Sequence, residues 1–270
     1  MTEPLLTSGF NCLKQARHGY MLYNRNDRFV GKSLELYGEY SEEELQFLKQ
    51  GIRPGDTVLD VGANIGAHTL FFAKSVGPAG VVLAFEPQRV PFQTLCANMA
   101  LNGLINVICH HTAIGDRNGT IAVPCLDYEQ AHNYGGVELV GDLQGEAVPL
   151  RTIDDFGLTR CNLIKVDVEG MEEAVLRGAR DTIRRLKPVL YVENDRKEKS
   201  AQLISYIGSL GYRMYWHLPR LFNPDNYFAN PENVFGNFAS ANMLCVHADA
   251  AVGIEGLRPV TGPDSDWRVS

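Results

Sequence analysis

Short apolar runs alternate along this chain with stretches in which apolar residues return every three or four positions. Thr57-Val58-Leu59-Asp60-Val61 is the first such run. Segments 81–86, 106–110, 162–167 and 189–193 repeat it, and 212–217 and 242–247 follow. Helical spacing predicts helices over 41–50, 68–73, 90–102, 171–186 and 196–210. Ser41 followed by Glu44 fits a capping box, and Gly51 and Gly103 sit where helices stop. Continuous apolar strands separated by helices predict a parallel sheet covered on both faces. The right-handed crossover then makes the fold α/β and doubly wound.

Two segments break the rhythm. Residues 118–150, with Gly119, Gly135, Gly136, Gly141 and Gly145, predict a β-hairpin insertion. Residues 218–241, rich in Pro, Asn, Phe and Tyr, predict a long ordered loop of the kind that carries function. Residues 1–30 are weakly periodic and predict irregular chain or short strands near the surface. Residues 251–270 form a tail, of which about the last fifteen are expected to be mobile.

The first strand ends in Asp60 and breaks into Gly62-Ala63-Asn64-Ile65-Gly66, after which His68-Thr69 open a helix. A strand, a glycine turn and a helix N-terminus in that order face a ligand. An acid there is odd for a phosphate and suits a cationic ligand. Parallel strands share one rim, where ligands bind, and Asp60, Glu86, Asp167 and Glu193 each end or adjoin a predicted strand. Asp116 lies just past another. Helix capping is the alternative use of Asp167 and Glu193. Glu86 stands 86 − 66 = 20 residues after the last turn glycine, where an acid accepts hydrogen bonds from ribose hydroxyls. The turn lacks the middle glycine that admits a pyrophosphate, and no P-loop lysine follows. A positively charged nucleoside without a pyrophosphate is S-adenosylmethionine.

The formal charge of −7 over 270 residues argues against a nucleic-acid partner, which needs a basic surface. No run approaches a membrane span, and Met1-Thr2-Glu3-Pro4 does not open a leader. Six scattered cysteines without CxxC spacing offer no zinc site, and no dedicated metal cluster is expected. A reducing, cytoplasmic setting is the expectation.

Taken together, Asp60–Gly66 with His68-Thr69, Phe85-Glu86-Pro87, Ala113-Ile114-Gly115-Asp116, and Leu150–Asp154 with Ile164–Glu172 resemble the class I S-adenosylmethionine-dependent methyltransferases. The Lys165-Val166-Asp167-Val168-Glu169-Gly170 segment narrows the resemblance to the FkbM family. It runs from about Tyr37 to His247. The resemblance implies a Rossmann-like, mostly parallel seven-stranded sheet with its last strand antiparallel. It also implies methyl transfer to a hydroxyl of a small molecule, polyketide or sugar, with S-adenosylhomocysteine as product. Residues 1–50 become an extension whose helix covers the cofactor, and 51–250 the methyltransferase domain. Asp60, Gly62 and Asn64 are expected along the methionine end of the cofactor, Glu86 at the ribose, Ala113 and Asp116 at the adenine, Asp167 near the reacting centre, and Glu39 over the cofactor. Ala63, Gly66, His68, Thr69 and Pro87 are further expected contacts of the cofactor.

An alcohol nucleophile needs a base. Asp167, Glu193, His132 and His217 are the candidates. Lys165, inside an apolar strand, needs a partner, and Glu169 or another rim acid is expected. Acceptor recognition is expected from Asn133, Tyr134 and Trp216, with Asn223, Asn226, Tyr227 and Phe228 of the long loop. An aromatic core for that loop is the alternative. Transfer to nitrogen, and a nicotinamide-dependent oxidoreductase on a similar fold, remain alternative readings. A homo-oligomer is compatible with the sequence.

Overall fold

The computed structural model describes residues 3–139 and 144–268. Gly141 of the insertion and Met1-Thr2 lie outside the described residues. The chain opens with an antiparallel meander, β1 (Leu6–Ser8), β2 (Asn11–Ala16) and β3 (Gly19–Asn24). This is more regular than the sequence suggests. Its inward residues Cys12, Ala16, Met21 and Tyr23 pack against the body of the protein. Helices α1 (Val30–Tyr37) and α2 (Glu42–Lys49) follow. Helix α1 is an addition to the predicted elements. Ser41 precedes α2 in a left-handed conformation, so its hydroxyl meets the Glu44 carboxylate at 3.0 Å instead of capping a backbone N–H.

The central sheet then builds up through β4 (Thr57–Val61), α3 (Ala67–Val76), β5 (Val81–Phe85), α4 (Arg89–Leu101) and β6 (Val107–His110). A small side sheet follows, of β7 (Ala113–Ile114), β8 (Gly119–Val123) and β9 (Glu146–Arg151); β8 and β9 are the expected hairpin. The chain returns with β10 (Leu163–Val166), α5 (Glu172–Arg177), α6 (Arg180–Leu186), β11 (Val189–Glu193), α7 (Lys197–Ser209), β12 (Tyr212–His217), β13 (Asn242–His247) and β14 (Arg258–Pro259). The strand order is β14-β12-β13-β11-β10-β4-β5-β6. Strand β13 runs antiparallel between β11 and β12. The seven expected strands therefore carry an eighth, short edge strand.

That edge strand corrects the expected mobile tail. Arg258 and Pro259 pair with Trp216 and Tyr215, the Val260 N–H donates to the Met214 carbonyl at 2.9 Å, and Trp267 packs on the main core. The predicted helix 171–186 is two helices. A Cβ on Gly178 would sit 1.9 Å from the Gly115 carbonyl oxygen. This close approach requires glycine, and the helix divides there. The second half is capped from afar, because the Asp154 carboxylate accepts from the N–H groups of Asp181 (3.0 Å) and Thr182 (2.8 Å).

Strand alternation sorts the core. Leu59, Val61, Ile164, Val166, Leu190 and Val192 face Val175, Leu176, Ile183 and Ile204 on one side of the sheet. Val58, Leu163 and Tyr191 face Leu45, Leu48, Phe71 and Phe72 on the other. Asp60 and Lys165 are in register with each other, and the same alternation places them on the second face, towards α2 and α3. Among the described residues no helix is long and apolar enough to cross a membrane.

Candidate active site

A cavity of about 520 Å³ opens at the carboxyl ends of β4, β5, β10 and β11. In an open parallel sheet this rim is where ligands bind. Its two sides are built differently.

On the β4–β5 side, the N–H groups of Gly62 (3.0 Å) and Ala63 (2.9 Å) both donate to the Phe85 carbonyl, which turns the chain sharply out of β4. Gly62 has φ +87, and a Cβ there would lie 1.8 Å from the Asp167 carbonyl oxygen. Only glycine lets the exits of β4 and β10 touch. Glu86 is buried and accepts from the N–H groups of Asn64 and Gln88, both at 2.8 Å. Burial pushes its carboxyl up to about 7, helped by the charges of Asp60 and Asp167 and opposed by the two N–H donors. Gly62, Ala63, Asn64, His68, Glu86, Pro87 and Ala113 all line the cavity. His68 Nε2 lies 3.0 Å from Glu44 Oε1. Burial alone would raise the Glu44 carboxyl, but His68, Lys165 and Ser41 outweigh it and hold it down at about 2.

On the β10–β11 side, the wall is acidic. Asp167, Glu169, Glu193 and Asp195 line it. Lys165 Nζ meets Asp167 Oδ2 at 2.9 Å, so its partner is Asp167 and not Glu169. Burial would lower the Lys165 ammonium, but Asp167, Asp60 and Glu44 raise it above its ordinary value and keep it charged. Arg196 reaches Asp195 and Glu138, each at 3.2 Å, and pairs with Glu169. Burial and the Asp167 charge nevertheless push the Glu169 carboxyl up to about 8. Glu193 is raised well above the carboxylate range by burial, then by Asp167, Glu169 and Asp195. One oxygen from each of Asp167, Glu169 and Glu193 falls within 4.8 Å of the others. This carboxylate cluster departs from the expectation of no metal-type grouping.

Several predicted site residues lie elsewhere. Asp60 is fully buried beneath the cavity, and its Oδ2 accepts from the Thr69 hydroxyl at 2.6 Å. Gly66 faces Leu95 and Met99 of α4. Glu39 is occupied by Arg17, by the Asn223 amide at 2.8 Å and by the Tyr227 N–H at 2.8 Å, so it ties the N-terminal meander to the long loop and is not among the residues lining this cavity. Asp116 is outside the cavity, in the turn after β7, paired with Arg117 at 3.1 Å. His132 is exposed; its backbone bridges Asn26 and Arg28. His217 is buried against Phe47, with Nδ1 2.7 Å from the Tyr191 hydroxyl, and burial lowers its pKa. Trp216 is core. Tyr134 is buried inside the insertion, stacked on Tyr128, whereas Asn133 does line the cavity. Asn226 bonds to the Asn223 and Asn230 carbonyls of its own loop. Phe228 packs on Gly38 and Tyr227 on Phe228, so these residues build the loop.

Tyr40, Phe29, Phe238 and Asn242 line the cavity without having been predicted. Phe29 meets Phe238 at a ring distance of 5.2 Å, a contact between remote segments that periodicity does not reveal. Asn242 was legible in principle, since it opens the strand beside β11. Asp60 Oδ1, Asn64 Oδ1, Glu193 Oε2 and Asn242 Nδ2 are buried and have no hydrogen-bond partner among the described residues. Such atoms are rare in native proteins. Three belong to cavity-lining residues and the fourth lies directly beneath, which marks the space as one a polar ligand completes.

Comparison with known proteins gives the family of the chain. The methyltransferase FkbM domain matches residues 60–214. Methyltransferase 1 of Beauveria bassiana is 29% identical over 196 residues, covering 64% of this chain and 78% of that protein. The 31-O-demethyl-FK506 methyltransferase FkbM of Streptomyces tacrolimicus is 29% identical over 188 residues, covering 56% and 70%. A crystal structure of an FkbM methyltransferase from Methylobacillus flagellatus superposes with a TM-score of 0.47 at 19% identity, over 74% of this chain and 50% of that one.

Proposed function

Because the chain belongs to the FkbM methyltransferase family, we propose that it transfers the methyl group of S-adenosylmethionine to a hydroxyl oxygen of a small molecule or sugar. The observation that carries this reading is the set of unpartnered polar atoms around a rim cavity whose buried Glu86 faces it. Glu86 would accept the two ribose hydroxyls, the Gly62–Asn64 turn would hold the methionine end, and Ala113 would flank the adenine. Among the relatives, the Streptomyces enzyme and the 2-O-methyltransferase NoeI of Sinorhizobium fredii are named for transfer to oxygen.

When bound, S-adenosylmethionine supplies a methyl group on a positively charged sulfur that leaves as a neutral thioether. The protein's task is alignment. The rim residues would hold the acceptor oxygen in line with that methyl group, whose bond to sulfur would break with its electron pair left on sulfur as the new oxygen–carbon bond formed. The hydroxyl proton passes to a carboxylate of the β10–β11 side. Asp167, kept next to the charged Lys165, is the residue we assign to that place, with Glu193 beside it. The turn sequence, without a middle glycine, disfavours a nicotinamide dinucleotide.

Incubation with methyl-labelled S-adenosylmethionine and a panel of hydroxyl and amine acceptors tests the reading. Label recovered in O-methyl products is expected. Label recovered only in N-methyl products would contradict oxygen as the acceptor atom.

A further inference from the structure

The long loop brings to the cavity an aromatic ring that the proposed chemistry leaves unused. Phe238 is 48% exposed and lines the cavity together with Phe29. A single exposed apolar side chain is ordinary on a protein surface. Phe238 differs because both its backbone and its ring are held. Its N–H donates to the Phe235 carbonyl, and its carbonyl accepts from the Leu221 N–H, each at 3.1 Å. Its ring lies 5.2 Å from that of Phe29 at 42°. Phe29 in turn stacks on Phe235 at 6.2 Å and 9°. Both distances are usual for attractive ring pairs. The residue before Phe29 is anchored to the insertion, because the Arg28 N–H donates to the His132 carbonyl at 3.0 Å. Segments remote in sequence thus combine to fix one ring on the cavity wall.

From Phe238 the lining continues without a break through residues 239–241 to Asn242. The backbone of this strip is tied down, with the Ser240 N–H on the Pro219 carbonyl at 3.1 Å and the Asn194 N–H on the Ala241 carbonyl at 2.7 Å. Asn242 is the register partner of Glu193, and Asp167 leaves β10 beside the end of β11. One fixed strip therefore runs from an aromatic ring to the acidic rim. Apolar walls with a few placed polar groups are how small-molecule sites combine affinity with orientation. We infer that Phe238 is the platform on which the methyl acceptor lies, and that this acceptor is a hydroxylated ring and not an open-chain alcohol. A phenol stacks offset on Phe238. A pyranose lays its C–H bonds, positive at hydrogen, on the negative face of the ring. In either case a hydroxyl on the ring's edge points along the strip towards Asp167. Phe238 supplies position and selectivity and moves no proton. This deepens the methyltransferase reading and rests on it for the bound molecule's role as acceptor, not for the binding of a ring.

Saturation-transfer NMR on the full chain, saturated with S-adenosylhomocysteine, tests the platform with catechol, methyl α-D-glucopyranoside and open-chain erythritol as probes. The expected result is saturation of the ring protons of at least one cyclic probe and none of erythritol. Which ring responds separates an aromatic from a saturated acceptor. Phe238→Leu keeps apolar bulk and removes the ring face, and it should weaken that probe about fivefold, within the range for an aromatic pair. Phe238→Tyr should restore binding. Melting temperature and S-adenosylhomocysteine affinity should be unchanged in both variants. Contact with erythritol equal to that with the rings, no contact with either ring, or equal ring binding by wild type and Phe238→Leu overturns the platform. With S-adenosylhomocysteine still bound, each of these leaves the methyltransferase reading standing. Ring binding that depends on Phe238 in a protein without affinity for S-adenosylhomocysteine supports the platform and instead removes the proposed function.

Discussion

On the β4–β5 side of the cavity, backbone N–H donors of residues 62–88 hold the turn and the Glu86 carboxylate, beside the His68–Glu44 pair. On the β10–β11 side the polar groups are side-chain acids gathered from the ends of two strands, with one lysine and one arginine among them. The first side is arranged by local turns and needs no partner to hold its shape. The second is arranged by topology and is electrically strained, with Glu169 and Glu193 both pushed up by burial and by neighbouring acids. The two sides meet where Gly62 touches the Asp167 carbonyl. On the proposed function this difference is a division of labour, with a backbone-built seat for the cofactor on one side and a charged seat for the acceptor on the other.

Asp167→Asn breaks the comparison most sharply. General base assistance is typically worth about 10²–10⁴-fold, and turnover should fall within that range while affinity for S-adenosylhomocysteine changes little. Equal losses in both would move Asp167 to the cofactor side. Gly62→Ala strikes the point of contact. Its new Cβ would meet a carbonyl oxygen at 1.8 Å in a backbone with φ +87, and strain of this kind costs about 1–3 kcal/mol. Urea denaturation should show at least that loss, together with weakened cofactor binding, and unchanged stability would mean that the strand exits do not touch.

The smallest effect is a pH dependence on the cofactor side. Glu86 is raised from an ordinary value of 4.5 to about 7. The folded, ligand-free protein therefore binds this proton more tightly than the unfolded chain does. That contribution to stability is complete below pH 4.5 and is lost as pH rises through about 7. Ribose hydroxyls donate to the ionised form, so cofactor binding should expel the proton. Affinity for S-adenosylhomocysteine should rise between pH 6 and pH 8, by at most about tenfold per unit, and Glu86→Gln should flatten the profile in calorimetry.

Much of this layout was readable from the chain itself. Continuous apolar strands predict the parallel sheet, and Gly62, Ala63, Asn64 and Glu86, expected at a ligand, line the cavity because each follows the end of a strand whose apolar run is visible in the sequence. The failures have the opposite character. Glu39 is expected over the cofactor from the resemblance, but Arg17 and the long loop hold it. Helix 171–186 looked continuous because neither the Gly115 carbonyl against Gly178 nor the Asp154 cap is visible in its own spacing. Trp216 and His217 look functional by type, yet strand alternation and neighbouring rings bury them. The grouping of Asp167 with Glu169 and Glu193 depends on the register of β10 with β11. A single sequence carries no signal for the Phe29–Phe238 wall.

The central claim is that the Gly62–Asn64 turn and Glu86 seat S-adenosylmethionine. Isothermal titration of S-adenosylhomocysteine into the protein at pH 8 tests it most directly. The account predicts one site per chain, weakened by on the order of 1–3 kcal/mol in Glu86→Ala. No binding of S-adenosylhomocysteine, with saturable binding of NAD in its place, would contradict it.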